Sequence, residues 1–182
     1  MARVKEIMAR EPVIVHVDHS LTEAATRMKE ADVGALFVVD GDELVGVVTD
    51  RDLVIRGIAA GITPGSAPVI DTITRHVVFC HENSSLEDAA ALMARQRIRR
   101  LAVVDDDREL VGVLSLGDLA RSADVEPTAL AAVLRAIGEP IAAAKLPAYE
   151  DPTGGRRRGS PPGSLHVYAR RPSIRRNPLF ET

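Results

Sequence analysis

The chain has 182 residues, enough for one good core or two small ones, and its 46 % hydrophobic and 27 % charged content is ordinary for a soluble globular protein. Aromatics are only 3 % with no Trp, which argues against a base-stacking nucleic-acid platform, and no apolar run reaches the roughly eighteen residues of a membrane span. Net charge is −3 but uneven: from Glu139 onward eight Lys/Arg against four Asp/Glu leave +4, so the rest of the chain carries −7.

In chain order, the start Met1-Ala2-Arg3-Val4-Lys5-Glu6 has no leader-like apolar core, and the single Cys80 fits a reducing, cytoplasmic setting. Val13 to Val17 reads as a short opening strand. Ser20 with Glu23 has the spacing of a helix N-cap pair, and Leu21, Ala24, Ala25 and Met28 follow helical spacing. Leu36 to Val39 is a β-rich apolar run, Asp40-Gly41-Asp42-Glu43 a turn, and Leu44 to Val48 a second strand, most simply an antiparallel hairpin. That strand ends in Gly46-x-x-Thr49-x-x-Asp52 and a helix start. Gly61 to Pro68 is turn-rich and reads as a linker.

The pattern then repeats. Ser85-Leu86-Glu87-Asp88-Ala89-Ala90 falls on Ser20 to Ala25. Arg100 to Asp105 falls on Ala35 to Asp40, and Gly112-x-x-Ser115-x-x-Asp118 falls on the first such element. The offset is 65, then 66 after one extra turn residue. Each unit is a β-α-β-β-α repeat of about 60 residues, marginal alone, so the two are expected to pack sheet to sheet as an α+β fold. A helix follows from Pro127 to Ile137, and the stretch from 147 is expected to be a disordered basic tail. The expected division is 1–62, 63–124, 125–146 and 147–182.

A helix start offers unpaired N–H groups and partial positive charge, a ready anion site. Thr49, Arg51 and Asp52 add a hydroxyl, a cation and a carboxylate, which suit a phosphate and a ribose diol. Ser115 and Asp118 repeat the pattern, but Leu116-Gly117 replaces Asp50-Arg51, so the first element ranks higher as a phosphate site. Thr or Ser three residues before an acid is equally a capping box that needs no ligand. Arg95, Arg97, Arg99 and Arg100 form a cation cluster, either solvated or able to place Arg99 or Arg100 against a phosphate. No His or Cys spacing supports a metal site, and no phosphate loop, nucleophile elbow or acid–base pair supports an enzyme.

With both elements in register, residues 1 to 122 resemble a CBS-domain pair, or Bateman module. The run Thr49 to Gly61 is similar to stand-alone bacterial pairs of the hypoxic-response-protein type. The resemblance implies two clefts between the repeats that take adenosyl ligands such as AMP, ADP, ATP or S-adenosylmethionine, no catalytic cofactor, and dimerisation as a flat disc. It places Asp52 and Asp118 on ribose hydroxyls and Thr49 and Ser115 on phosphate. Ile14, Val15 and Phe79, with Ala35, Leu36, Leu101 and Ala102, would flank the adenine, and Cys80 lies beside Phe79. Phe37 and Ala102 stand where the family often has Pro. The expected function is a regulatory sensor of adenine nucleotides. A ligand-free dimeric scaffold and a nucleic-acid-associated protein using the basic tail are the alternatives.

Overall fold

The structure, a computed structural model, describes residues 2–139 and the backbone of 173–174. Both repeats form as expected. In the first, β1 (Ile14–His16) runs parallel to β2 (Ala35–Asp40), which turns back antiparallel into β3 (Glu43–Thr49), with α2 (Leu21–Glu30) packed behind. In the second, β4 (Phe79–His81), β5 (Arg100–Val104), β6 (Glu109–Ser115) and α4 (Leu86–Gln96) repeat the arrangement. The register shifts at the same place in both hairpins, at Val38/Val39 and at Val103/Val104, so even the bulge is duplicated. A two-residue β7 (Ser173–Ile174) pairs with Glu43 on one side and with Glu109 and Leu110 on the other, joining the two three-stranded sheets.

Strand alternation sorts the apolar residues into three cores. Val15, Leu36, Val38 and Val48 face the helices of the first repeat; Leu101, Val103 and Leu114 face those of the second. The opposite faces meet: Ile14, Phe37, Val39 and Leu44 pack against Ala102 and Leu110, which is the sheet-to-sheet contact that buries what a lone repeat would expose.

The cores are not contiguous in sequence. Val4 from α1 (Val4–Ile7) and Met8 are buried in the core of the second repeat, whereas Val69 and Ile73, from the stretch before β4, are buried in that of the first. Each lead-in segment is clasped to the other repeat's closing strand. Ala9 and Val113 exchange backbone hydrogen bonds of 3.0 and 2.9 Å, and Thr74 and Val47 exchange bonds of 2.8 and 3.0 Å. These clasps explain the glycine that opens each Gly-x-x-Thr/Ser element. A Cβ on Gly46 would lie 2.7 Å from Ile73 Cδ1, and one on Gly112 would lie 2.6 Å from the Ala9 carbonyl oxygen. Only a residue without a side chain admits the crossing segment there.

The closing helices differ. In the second repeat α5 (Leu116–Arg121) is regular. In the first, α3 (Asp50–Asp52) widens into a π-turn over Leu53–Gly57 and tightens into a 3-10 turn over Ile58–Ala60. The expected additional helix is α6 (Pro127–Gly138). It buries Val133 against α4, and Arg97 donates to the Ala136 and Glu139 carbonyls at its end. The expected basic tail lies, apart from β7, outside the described residues.

Candidate functional site

Both Thr/Ser-x-x-Asp elements are helix starts with closed capping boxes. Thr49 Oγ1 accepts from the Asp52 N–H at 3.1 Å, while Asp52 Oδ2 accepts from the Thr49 N–H at 3.0 Å and its hydroxyl at 2.7 Å. Ser115 and Asp118 do the same at 3.2, 2.7 and 2.6 Å. One carboxylate oxygen of each Asp is thus committed to the cap. The other, Oδ1, meets an arginine one turn later: Arg56 at 3.5 Å from Asp52, and Arg121 in direct hydrogen-bonding contact with Asp118. The capping reading holds at both elements, and the cap occupies only one edge of each carboxylate, the other edge facing an arginine.

Where two clefts are expected, the structure brings Thr49, Asp52, Ser115 and Asp118 onto the wall of one cavity of about 540 Å³ between the repeats. Its apolar wall includes Val13, Val33, Phe37, Val77, Val78 and Val113. The expected residues Ala35 and Ala102 also line it. Val15, Leu36 and Leu101 do not; they sit on the opposite strand faces in the helix-side cores, one residue out of phase with the cavity. Ile14 lies on the inter-sheet side but within the core formed with Phe37 and Ala102, and Phe79 packs against that core. Cys80 is buried in the second repeat's core, and burial pushes its thiol from the ordinary 9.0 up to about 12.

The cations also fall elsewhere than expected. Arg51 is exposed and outside the cavity lining, because it adjoins Asp52 in the helix and so points to a different side. The second element, expected to lack a local cation, has Arg121 on the cavity wall, three residues from Asp118 and hence on the same helix face. That Asp-x-x-Arg spacing was legible in the sequence. Arg100 lines the cavity as well, and Arg99 does not. The remaining polar wall (Glu11, Asp32, Thr74 and His76) carries no sequence signal of its own, since three of these lie in lead-in segments that cross between repeats.

The model of the CBS domain matches residues 4–57 and again 69–124, which is most of the described chain. The chain belongs to the CBS-domain family. It is 34 % identical over 145 residues to hypoxic response protein 1 of Mycobacterium tuberculosis, covering 79 % of this chain and 99 % of that protein. Among solved structures it is similar to the CBS protein PAE2072 of Pyrobaculum aerophilum in complex with AMP. There the identity is 27 % and the TM-score 0.60, over 75 % of this chain and 98 % of that one. It is also similar to the CBS pair of protein MJ0100 in complex with 5′-methylthioadenosine and S-adenosylmethionine (29 %, TM-score 0.59, 66 % of this chain and 94 % of that one). No helix among the described residues is long and apolar enough to cross a membrane.

Proposed function

We propose that this CBS pair is a non-enzymatic regulator that binds an adenosyl ligand in the cavity between its repeats and reports energy or stress status. The observation that carries the reading is the convergence of both Thr/Ser-x-x-Asp elements on one apolar-walled cavity of about 540 Å³, a size suited to a small ligand. The AMP and S-adenosylmethionine complexes of two relatives support it. In this reading Asp52 and Asp118 offer their uncapped Oδ1 edges to ribose hydroxyls. Thr49 and Ser115 lie at the helix starts that meet phosphate.

Thermal unfolding of the full chain with AMP, ADP, ATP, adenosine and S-adenosylmethionine tests it. A ligand at about 100 times its Kd stabilises the fold by about 2.7 kcal/mol, several degrees at this size. The shift should vanish in Asp52→Ala or Asp118→Ala. No shift with any of them would reject ligand sensing.

A second reading, a dimeric scaffold, is favoured by one observation. Val54, Ile55 and Ile58 on the widened helix are 50, 53 and 62 % exposed, an apolar set suited to a second copy of the chain. Light scattering should give a dimer mass that Ile58→Glu halves.

A further inference from the structure

Resting on the adenosyl reading, the charge on the cavity wall identifies which class of adenosyl ligand fits. The two repeats contribute unequally. At the first position of the hairpin the first repeat has Ala35, and the second has Arg100. Arg100 is paired in register with Ser115, the cap of the second element. Its guanidinium reaches across to the first repeat: a Cβ built on Gly34 would lie 3.8 Å from Arg100 Nη2 and 3.2 Å from Asp50 Oδ2. The other lining arginine, Arg121, is already engaged by Asp118. Arg56 is spent on the Thr72 and Ile73 carbonyls and Asp52 and does not line the cavity. Arg100 therefore remains as the lining cation whose guanidinium has no hydrogen bond or ion pair to another described residue.

The other charged groups on the wall, apart from Arg121, are acidic. Glu11 and Asp32 are exposed side chains on the lining, whereas the Asp52 and Asp118 carboxylates are offset by Arg56 and Arg121. One available guanidinium can offset one phosphate group. A longer phosphate chain would run on among carboxylates, and like charges brought together cost affinity.

We propose that the cavity selects an adenosyl ligand with a single phosphate, that Arg100 meets that phosphate, and that Glu11 and Asp32 reject a di- or triphosphate. Calorimetric titration of the full chain with adenosine, AMP, ADP and ATP at fixed low salt tests this. AMP is expected to bind at least about tenfold more tightly than ATP, the scale of one unfavourable charge contact. Arg100→Gln should erase the preference for AMP over adenosine. Glu11→Gln combined with Asp32→Asn should narrow the gap between AMP and ATP. ATP binding as tightly as AMP, or an Arg100→Gln chain that still prefers AMP to adenosine, would overturn the proposal while leaving the adenosyl reading standing. Binding of none of the four would overturn the single-phosphate proposal, and S-adenosylmethionine failing as well would remove the adenosyl reading.

Discussion

Gly46 and Gly112 show how a single residue holds the two halves together. Each sits where the other repeat's lead-in segment passes against the strand, so an added methyl meets backbone or a buried side chain. Gly112→Ala should destabilise the protein by about 1–3 kcal/mol, the usual range for overpacking. Gly46→Ala should cost less, because its nearest obstacle is the Ile73 methyl terminus rather than a carbonyl. Denaturant midpoints of the two variants check the order. Cys80 is the other residue with a defined consequence. Its raised pKa means that well below pH 9.0 the thiol is neutral in both folded and unfolded chains and does not affect stability. Between pH 9.0 and about 12 the unfolded chain ionises first, so stability falls as pH rises. At pH 8 a thiol reagent should label the folded protein far more slowly than the denatured one; equal rates would contradict the burial.

At the scale of elements, the Thr/Ser-x-x-Asp pairs serve the helices before they serve any ligand. Ser115→Ala, measured without nucleotide, should cost about 1 kcal/mol through loss of the α5 cap, and Ser20→Ala a similar amount at α2. A neutral result for both in chemical denaturation would mean that the caps contribute nothing. The Ser20 cap is also charge-assisted: the Ser20 N–H and hydroxyl hold the Glu23 carboxyl below its ordinary 4.5. That contribution is present above pH 4.5 and is withdrawn as acid protonates Glu23 in the folded state. Much at this scale was legible in the sequence. The repeat, the hairpins and all four cap pairs follow from local spacing, and the structure bears them out. The phase of the strands was harder. Leu36 and Ala35 look equally apolar in the sequence, and only the pairing with β3 decides that Ala35 turns to the cavity and Leu36 to the helices.

The whole molecule depends on an exchange that linear reading misses. The sequence shows two units in tandem, whereas Val4 and Met8 complete the second core and Val69 and Ile73 the first. No residue pattern announces this, because an apolar residue looks the same whichever core receives it. The exchange predicts that Met8→Ala, at about 2–5 kcal/mol for a truncated core side chain, will loosen the distant partner. Hydrogen exchange should speed up in β6 more than in β3, although β3 is nearer in sequence. Equal acceleration in both would argue against the crossing. A ligand-driven change is constrained in the same way. The repeats cannot swing apart without breaking the clasps at Val47 and Val113, so the proposed sensing would use small shear within the pair or motion between copies rather than a wide hinge. A chain with only one such repeat would carry a strand edge awaiting a crossing segment and a crossing segment with nowhere to dock. It could satisfy both by trading arms with a second copy of itself, a symmetric domain-swapped pair. Joining two such copies end to end would turn a concentration-dependent association into an intramolecular one.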